Sequence, residues 1–127
     1  MKALSIKQPW AWAIVHVGKN IENRSRRTHY RGTVAVHASL GIARDWAEWY
    51  PARTKKPPAQ DEWALGAIIG FVDIIDCVED YRSKWFYGPF GYRLANPVLL
   101  KQPVPCRGAL GLWTVPPQIV RKINRQK

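Results

Sequence analysis

Three side chains of complementary chemistry lie within six positions near the start of the chain: Lys19, Glu22 and Arg24. Glu22 is the only acidic residue among the first 44, which also contain eight Lys and Arg residues. A lone carboxylate among so many cations is well placed to orient one of them. If Glu22 holds the Lys19 amine, burial can lower the lysine pKa toward use as a base, and Arg24 can bind phosphate or a base carbonyl through its planar guanidinium. We therefore predict that these three residues form the floor of a cleft that receives an anionic, base-bearing ligand.

The same stretch also has a simpler explanation, in which a lysine complements the end of a helix and an exposed Glu–Arg pair contributes little. The pattern predicts a helix over residues 9–17, ended by Gly18 in a left-handed conformation, and an extended segment over residues 20–24. Strand alternation places Lys19 and Glu22 on opposite faces. The two side chains can share a cleft only if the chain bends at Gly18–Lys19.

The remaining elements are short and irregularly ordered. We predict strands over residues 3–6, 32–39, 67–77, 92–100 and 108–115, with Gly70 as a candidate bulge or bend in the central one. A helix over residues 42–50 should bury Ile42, Trp46 and Trp49, and a closing helix should begin at Pro116. These elements predict an α+β fold, a small, mostly antiparallel β-barrel of five to six strands with two to three helices, in a single domain over residues 1–127.

Charge and composition narrow the function classes. The net charge of +11 divides into +7 over residues 1–44, −5 over 45–80 and +9 over 81–127, so the two basic segments can form one positive face for phosphates. The alternative is a basic surface with no specific ligand. Seven Trp and five Tyr favour nucleic acid as the ligand, and RNA rather than DNA. No apolar run is long enough to span a membrane. We expect a cytoplasmic monomer with no metal and no cofactor, and with Cys77 and Cys106 reduced.

A loop over residues 81–92 mixes aromatic and basic side chains. Bases of single-stranded RNA stack on such rings while cations hold the backbone, and here those residues would be Trp85, Tyr87, Phe90 and Arg93. The alternative is a hydrophobic lid on the barrel. We expect a division of roles, with some rings closing the barrel end and one or two facing the cleft.

Further contacts are predicted around the first helix and the third strand. The helix start presents N–H groups to an anion, which favours ligand contact by Gln8, whereas Trp10 fits either ligand contact or the core. Ser39 is a candidate hydrogen-bond donor to ligand. His37 shares its strand face, but no acid orients His37, which disfavours serine nucleophile chemistry. The remaining phosphate contacts would come from the basic C-terminal helix and from Arg26, Arg27 and Arg31.

The spacing Lys19-x-x-Glu22-x-Arg24 resembles the signature of the ASCH (activating signal cointegrator homology) domain of the PUA-like superfamily. The resemblance covers nearly the whole chain, through residues 4–11, 22–25, 30–39, 86–91 and 105–113. One departure is visible, because the family usually places a residue between the glycine and the lysine, whereas Gly18 adjoins Lys19 here. The resemblance implies a PUA-like barrel whose cleft binds RNA, or DNA in some relatives.

The resemblance also implies an alternative function as a small hydrolase. A bacterial branch similar to this family removes the acetyl group of N(4)-acetylcytidine with a lysine, a threonine and a glutamate. The lysine corresponds to Lys19 and the threonine position to Glu22, and no residue clearly matches the glutamate. A nuclease has also been proposed within the family. In either case Lys19 would act as base and Glu22 would orient it. A third reading is a protein-interaction domain with an exposed apolar patch.

Overall fold

A computed structural model of the chain describes residues 1–126, and Lys127 lies outside them. Six strands form one mixed sheet in the order β2-β5-β4-β3-β1-β6. The β1 and β3 strands pair in parallel, and the other four pairings are antiparallel. The strands are β1 (Lys2–Gln8), β2 (Ile21–Arg24), β3 (Gly32–Ile42), β4 (Ala67–Val78), β5 (Phe90–Pro105) and β6 (Leu112–Thr114).

Three short α-helices and one 3-10 turn are attached to this sheet. The helices are α1 (Trp10–His16), α2 (Trp46–Trp49) and α3 (Pro117–Asn124), and the 3-10 turn covers Gln60–Glu62. The predicted α+β class is confirmed, as are its mostly antiparallel pairing and its six strands. No helix within residues 1–126 is long and apolar enough to cross a membrane.

The sheet curls but does not close into a barrel through strand pairing. Strands β2 and β6 form its two edges, and β6 pairs only with the first half of β1, from Lys2 to Leu4. Beyond Leu4, one edge of β1 lacks a strand partner. Arg24 reaches across from β2 and donates from Nη2 to the carbonyl of Ser5, over 2.8 Å. A side chain therefore bridges the gap that strand pairing would close in a complete barrel.

The β4 strand is irregular at Gly70, where we predicted a bulge or a bend. Its register shifts against β5 between Ile68 and Gly70. A Cβ at position 70 would lie 2.2 Å from the carbonyl oxygen of Val98, so only glycine permits this approach of the two backbones. A further shift leaves Asn96, whose φ is +55°, outside the pairing, and the bulge lets β5 continue past Pro97. Strand β5 is longer than the predicted strand over residues 92–100, since it begins at Phe90 and continues through Pro103 to Pro105.

The sheet is buried on both faces. One face packs the core that contains Leu4, Val36 and Val72, while the other packs Ala35 and Phe71 against α3. We expected β3 to bury Val34, Val36 and Ala38 and to turn His37 away from the core. Instead His37 is also buried, because the segment after β5 and helix α3 cover that face. The last strand is correspondingly shorter than predicted, since the chain around Gly108 packs on His37 before β6 begins.

The prediction of a helix over residues 42–50 is wrong. The β3 strand continues to Ile42, and α2 contains only Trp46–Trp49. Because one helical turn cannot present a continuous apolar stripe, Trp49 is 60% exposed instead of buried. Tyr50, and not Trp49, packs this segment against the aromatic core. Its ring stacks on Trp10 at 5.9 Å and meets Trp85 edge-on at 5.6 Å. This aromatic cluster fixes the segment after β3 against α1.

Candidate functional site

The chain bends where the site requires it. Gly18 adopts a φ of +72°, and the Lys19 N–H donates to the carbonyl of Ala13 over 3.0 Å, which turns the chain back on helix α1. The Lys19 side chain folds over the start of β2, where its Nζ donates to the carbonyl of Ile21 and lies 3.2 Å from Oε1 of Glu22. Lys19 and Glu22, which simple alternation would separate, therefore share one space.

Glu22 connects the lysine to the arginine. Its Oε2 accepts from Nε of Arg24 over 3.0 Å, while its Oε1 faces Lys19. The exposed fractions of the Lys19, Glu22 and Arg24 side chains are 4%, 11% and 26%. Burial lowers the pKa of Lys19 below its ordinary value, Glu22 opposes this shift, and the Arg24 charge adds to it. The three groups form one connected ionic network at the edge of the sheet.

A wide groove runs along this network, with a volume of about 980 Å³. We call it the outer groove. Three basic and two acidic side chains line it, and the basic ones are Lys7, Arg24 and Arg44. Ser5 and Ser39 also face it, together with the turn formed by residues 109–111. The groove follows the unpaired edge of β1, so it occupies the opening that a closed barrel would not have.

A smaller recess of about 270 Å³ lies against the outer groove. We call it the inner cavity. Both spaces share Trp10, Glu22, Asn23, Trp49 and Tyr87 in their linings, whereas Lys19, Lys84, Trp85 and Phe86 line the inner cavity alone. The inner cavity is thus an aromatic chamber with the Lys19–Glu22 pair in its wall.

Asn23 holds the aromatic loop in place. Its Oδ1 accepts from the backbone N–H groups of Tyr87 and Gly88 at 2.9 and 3.0 Å, and its Nδ2 donates to the carbonyl of Trp85 at 2.9 Å. One side chain thereby fixes the loop at three of its residues relative to β2. The sequence analysis did not assign Asn23 a role, although its position between two predicted site residues, Glu22 and Arg24, could have indicated one.

Two exposed rings stand where the spaces meet. Tyr87 is 68% exposed and Trp49 is 60% exposed, and their centroids are 5.9 Å apart with an interplanar angle of 36°. Tyr87 was predicted to contact ligand, and it lines both spaces. Trp49 was missed because it was placed on the buried stripe of a longer helix. The position of Trp49 beside Tyr87 follows from the tertiary packing of α2 alone.

The other predicted residues near the cleft have different surroundings. Trp10 lines both spaces, and the Trp85 side chain is buried in the aromatic core while one part of it lines the inner cavity. Ser39 lines the outer groove and donates to the carbonyl of Gly41 at 3.2 Å. Gln8 is only 2% exposed. Its Oε1 accepts from the N–H of Trp12 at 2.8 Å and its Nε2 donates to the carbonyl of Ala64, so both ends of its amide are bonded within the protein and Gln8 lies outside the linings of the outer groove and the inner cavity.

The structure does not bring the remaining predicted residues to either space. Arg27 pairs with Glu79 at 3.4 Å and lies over the ring of Phe90 at 5.1 Å. Both Arg31 and Arg93 pair with Asp76 at 3.7 Å, on strand β4. Arg26 is exposed, and its carbonyl accepts from the hydroxyl of Tyr92. Within residues 1–126 these arginines, together with Phe90, lie outside the linings of the outer groove and the inner cavity.

His37 belongs to a buried hydrogen-bond chain behind the groove. Its Nε2 lies 2.7 Å from the carbonyl of Cys106 and donates to it, because a carbonyl oxygen can only accept, and its Nδ1 is hydrogen-bonded to Ser5 Oγ over 3.0 Å. Trp113 Nε1 donates to the same hydroxyl. The chain fixes Ser5, whose carbonyl receives Arg24. Among the described residues, no group of three or more His, Cys, Asp and Glu side chains is arranged to hold a metal ion.

Comparison with known proteins identifies the family. A model of the ASCH domain matches residues 4–91, from β1 to the start of β5. The human protein activating signal cointegrator 1 is 26% identical over 130 aligned positions, and its mouse counterpart is 25% identical. Each alignment covers 91% of this chain and 22% of the relative, so the chain spans about a fifth of the length of these relatives. Because the family match extends over more than half of the sequence and includes Lys19, Glu22 and Arg24, the chain belongs to the ASCH domain family.

Proposed function

We propose that the protein binds single-stranded RNA, or a nucleotide, in the outer groove and the inner cavity. The observation that carries this proposal is the Lys19–Glu22–Arg24 network, whose residues line the outer groove and the inner cavity together with two exposed aromatic rings. Such a site offers hydrogen-bonding groups and stacking surfaces next to each other. A nucleic acid needs both at once, because its bases are flat and carry polar edges.

The size and charge of the groove support this assignment. Its volume of about 980 Å³ lies at the upper end of the range of roughly 300–1,000 Å³ that is typical of ligand sites. Lys7 and Arg44 line it away from the ionic network and are exposed, so they are available for phosphates. Arg26, Arg27 and Arg31 are left outside the proposed site. The cytoplasmic location and the monomeric state remain predictions from the sequence.

A direct binding measurement tests the proposal. Fluorescence anisotropy of a labelled single-stranded RNA of about ten nucleotides should show saturable binding whose affinity falls steeply between 50 and 200 mM salt, because phosphate contacts release counterions. The variant Arg24→Ala should bind at least tenfold more weakly, since it loses a cation and the contact that orders Glu22. The control is Arg125→Ala, an exposed arginine just beyond α3. Affinity that is absent, or that does not respond to salt, would contradict the proposal.

A hydrolase is the second candidate function, and one observation favours it. The Lys19 amine lines the inner cavity, its pKa is lowered by burial, and Glu22 holds it at 3.2 Å. A lysine that loses its proton more readily can act as a general base on a ligand in that cavity, with Glu22 as its orienting group. The chemistry would be hydrolysis of an acylated base or of the RNA backbone.

Turnover assays distinguish the two functions. The native protein is incubated with N(4)-acetylcytidine and with end-labelled RNA, beside the variants Lys19→Ala and Lys19→Arg. If the protein is a hydrolase, the native protein forms product and neither variant does, because an arginine keeps the positive charge but cannot serve as a base. If the protein binds RNA but turns over neither compound, binding is its only supported function.

A further inference from the structure

We propose that one unpaired nucleobase, bearing an exocyclic amino group, enters between the rings of Trp49 and Tyr87 and is recognised at the inner cavity by Glu22. This inference rests on the proposed RNA-binding function and specifies which part of the ligand enters the cavity. Its basis is the arrangement of two exposed rings above a cavity whose wall holds a carboxylate next to an ammonium group.

The two rings are poorly explained by folding alone. Both are more than half exposed, whereas Trp10, Tyr50 and Trp85 already form the aromatic core beneath them. Trp49 comes from a helix of four residues and Tyr87 from the loop before β5. Large exposed rings of this kind provide stacking surface at low entropic cost, which is the property a base-binding site requires.

The spacing of the rings is close to that of a stacking clamp. Their centroids are 5.9 Å apart and their planes are tilted by 36°. A base between two parallel rings needs about 7 Å, which is twice the stacking distance of roughly 3.4 Å. The rings must therefore separate by about 1 Å and turn parallel. Rotation of the two side chains can supply this adjustment, because neither ring is anchored in the core, while Asn23 holds the backbone at Tyr87.

The cavity wall is suited to a base edge with a donor next to an acceptor. A carboxylate offers about four acceptor sites, and Glu22 uses one oxygen for Lys19 and the other for Arg24, so capacity remains on both. The Lys19 ammonium has three N–H donors, of which the Ile21 carbonyl and Glu22 receive two. Adenine and cytosine present an amino group beside a ring nitrogen acceptor and match this pair. Uracil presents a carbonyl oxygen in place of the amino group, and that oxygen would face the carboxylate.

The charges of the lining disfavour the other occupants of an aromatic chamber. A phosphate in the inner cavity would meet the Glu22 carboxylate as well as Lys19 and Lys84, and Glu22 already pairs with Lys19, so we place the phosphates at the exposed Lys7 and Arg44 of the outer groove. A cationic ligand, such as a methylated ammonium group, would meet Lys19 and Lys84. A neutral, flat group with polar edges satisfies both restrictions, and a nucleobase is such a group.

The experiment removes a single amino group from the ligand. Oligouridine RNAs carry one central adenosine, purine riboside or abasic residue, and purine riboside differs from adenosine only in lacking the amino group. We expect the adenosine RNA to bind at least tenfold more tightly than the purine riboside RNA, because a hydrogen bond to a carboxylate is lost. Trp49→Ala and Tyr87→Ala should each lower the affinity for the adenosine RNA by at least about fivefold. Trp49→Phe keeps a stacking ring and should keep most of the affinity.

The control variant is Leu40→Ala, which removes an apolar side chain that is 78% exposed and lies outside both linings. It should leave every affinity unchanged. Equal affinity for adenosine and purine riboside RNAs would overturn the base recognition while leaving RNA binding intact. Unchanged affinity in Trp49→Ala and Tyr87→Ala would overturn the clamp. The absence of affinity for any of the RNAs would overturn the proposed function and this inference together.

Discussion

The Nζ of Lys19 lies 3.2 Å from Oε1 of Glu22, and the two side chains expose only 4% and 11% of their area. A buried ion pair is expensive to form, because both charges lose water. The structure offsets this cost by giving each charge a second partner, the Ile21 carbonyl for Lys19 and the Arg24 guanidinium for Glu22. The stability of this region should therefore depend on the whole network and not on the pair alone.

Removing the carboxylate should destabilise the protein strongly. Glu22→Gln leaves two cations, Lys19 and Arg24, without their counter-ion, and breaking a buried pair in this way costs about 3–5 kcal/mol. Lys19→Met should cost less, because Glu22 keeps Arg24 and the methionine fills similar space. Denaturant unfolding measures both free energies.

The control for this comparison is Glu79→Gln, which breaks the exposed pair with Arg27 and should change the free energy of unfolding by no more than about 0.5 kcal/mol. A smaller effect for Glu22→Gln than for Lys19→Met would show that the network does not depend on the carboxylate.

The lowered pKa of Lys19 predicts a dependence of stability on pH. In the folded protein, burial makes the charged lysine unfavourable, so its pKa lies below the ordinary value of 10.5, which we take for the unfolded chain. Between these two pKa values the unfolded state binds more protons, and the stability contribution of Lys19 must rise with pH. The unfavourable contribution is fully present below the folded pKa and disappears as pH approaches 10.5.

The measurement is the difference in unfolding free energy between the native protein and Lys19→Met from pH 7 to 10.5. The subtraction cancels groups that titrate in both proteins, including the tyrosines. We expect the difference to shift in favour of the native protein as pH rises. A difference that stays constant, or shifts in the opposite direction, would rule out a lowered pKa.

Asn23→Ala should release the aromatic loop. The substitution removes three hydrogen bonds, to Trp85, Tyr87 and Gly88, each worth roughly 0.5–1.5 kcal/mol. We expect a loss of about 2–4 kcal/mol in unfolding free energy, together with faster hydrogen exchange at the amides of Tyr87 and Gly88. The matched control is Asn20→Ala, which removes one hydrogen bond, to Ser83 in the same loop, and should leave those two amides protected.

Much of the site was predictable because it is local. The bend at Gly18, the end of α1 and the convergence of Lys19 with Glu22 all arise within ten residues. The helix-ending rule indicated the bend, and without that bend strand alternation would have placed the two side chains on opposite faces. The bend at Gly70 followed from a glycine inside an apolar run. In each case the residues that decide the geometry are neighbours in the sequence.

The differences between the predicted and the observed positions concern contacts between distant segments. Trp49 was assigned to the core because its spacing from Trp46 fits a helical stripe, but α2 is a single turn, Tyr50 packs on Trp10 and Trp49 is 60% exposed. Gln8 was assigned to a ligand because it precedes a helix, whereas the carbonyl of Ala64, 56 residues away, orients its amide inward. Arg31 and Arg93 were assigned to phosphates, but the sheet register brings both to Asp76.

Gly70→Ala should test the bend of the central strand. A Cβ would lie 2.2 Å from the carbonyl oxygen of Val98 and 2.9 Å from the Val15 side chain, so two backbones must separate. Overpacking of this kind costs about 1–3 kcal/mol or more. Gly41→Ala is the control, because the nearest atom is the flexible Lys7 side chain at 3.7 Å, and it should change the unfolding free energy by less than about 0.5 kcal/mol. Equal effects of the two substitutions would contradict the close approach.

The position of the phosphates can be distinguished by salt dependence. Lys7 and Arg44 line the outer groove, whereas Arg121 and Lys122 are exposed on α3, outside it. For a single strand, each phosphate contact contributes about 0.7 to the slope of log affinity against log salt. The double variant Lys7→Ala, Arg44→Ala should therefore reduce the magnitude of the slope by about 1.4, and Arg121→Ala, Lys122→Ala, with the same change in net charge, should reduce it much less. A larger reduction from the helix variant would place the RNA backbone along α3 and leave the groove to the base alone.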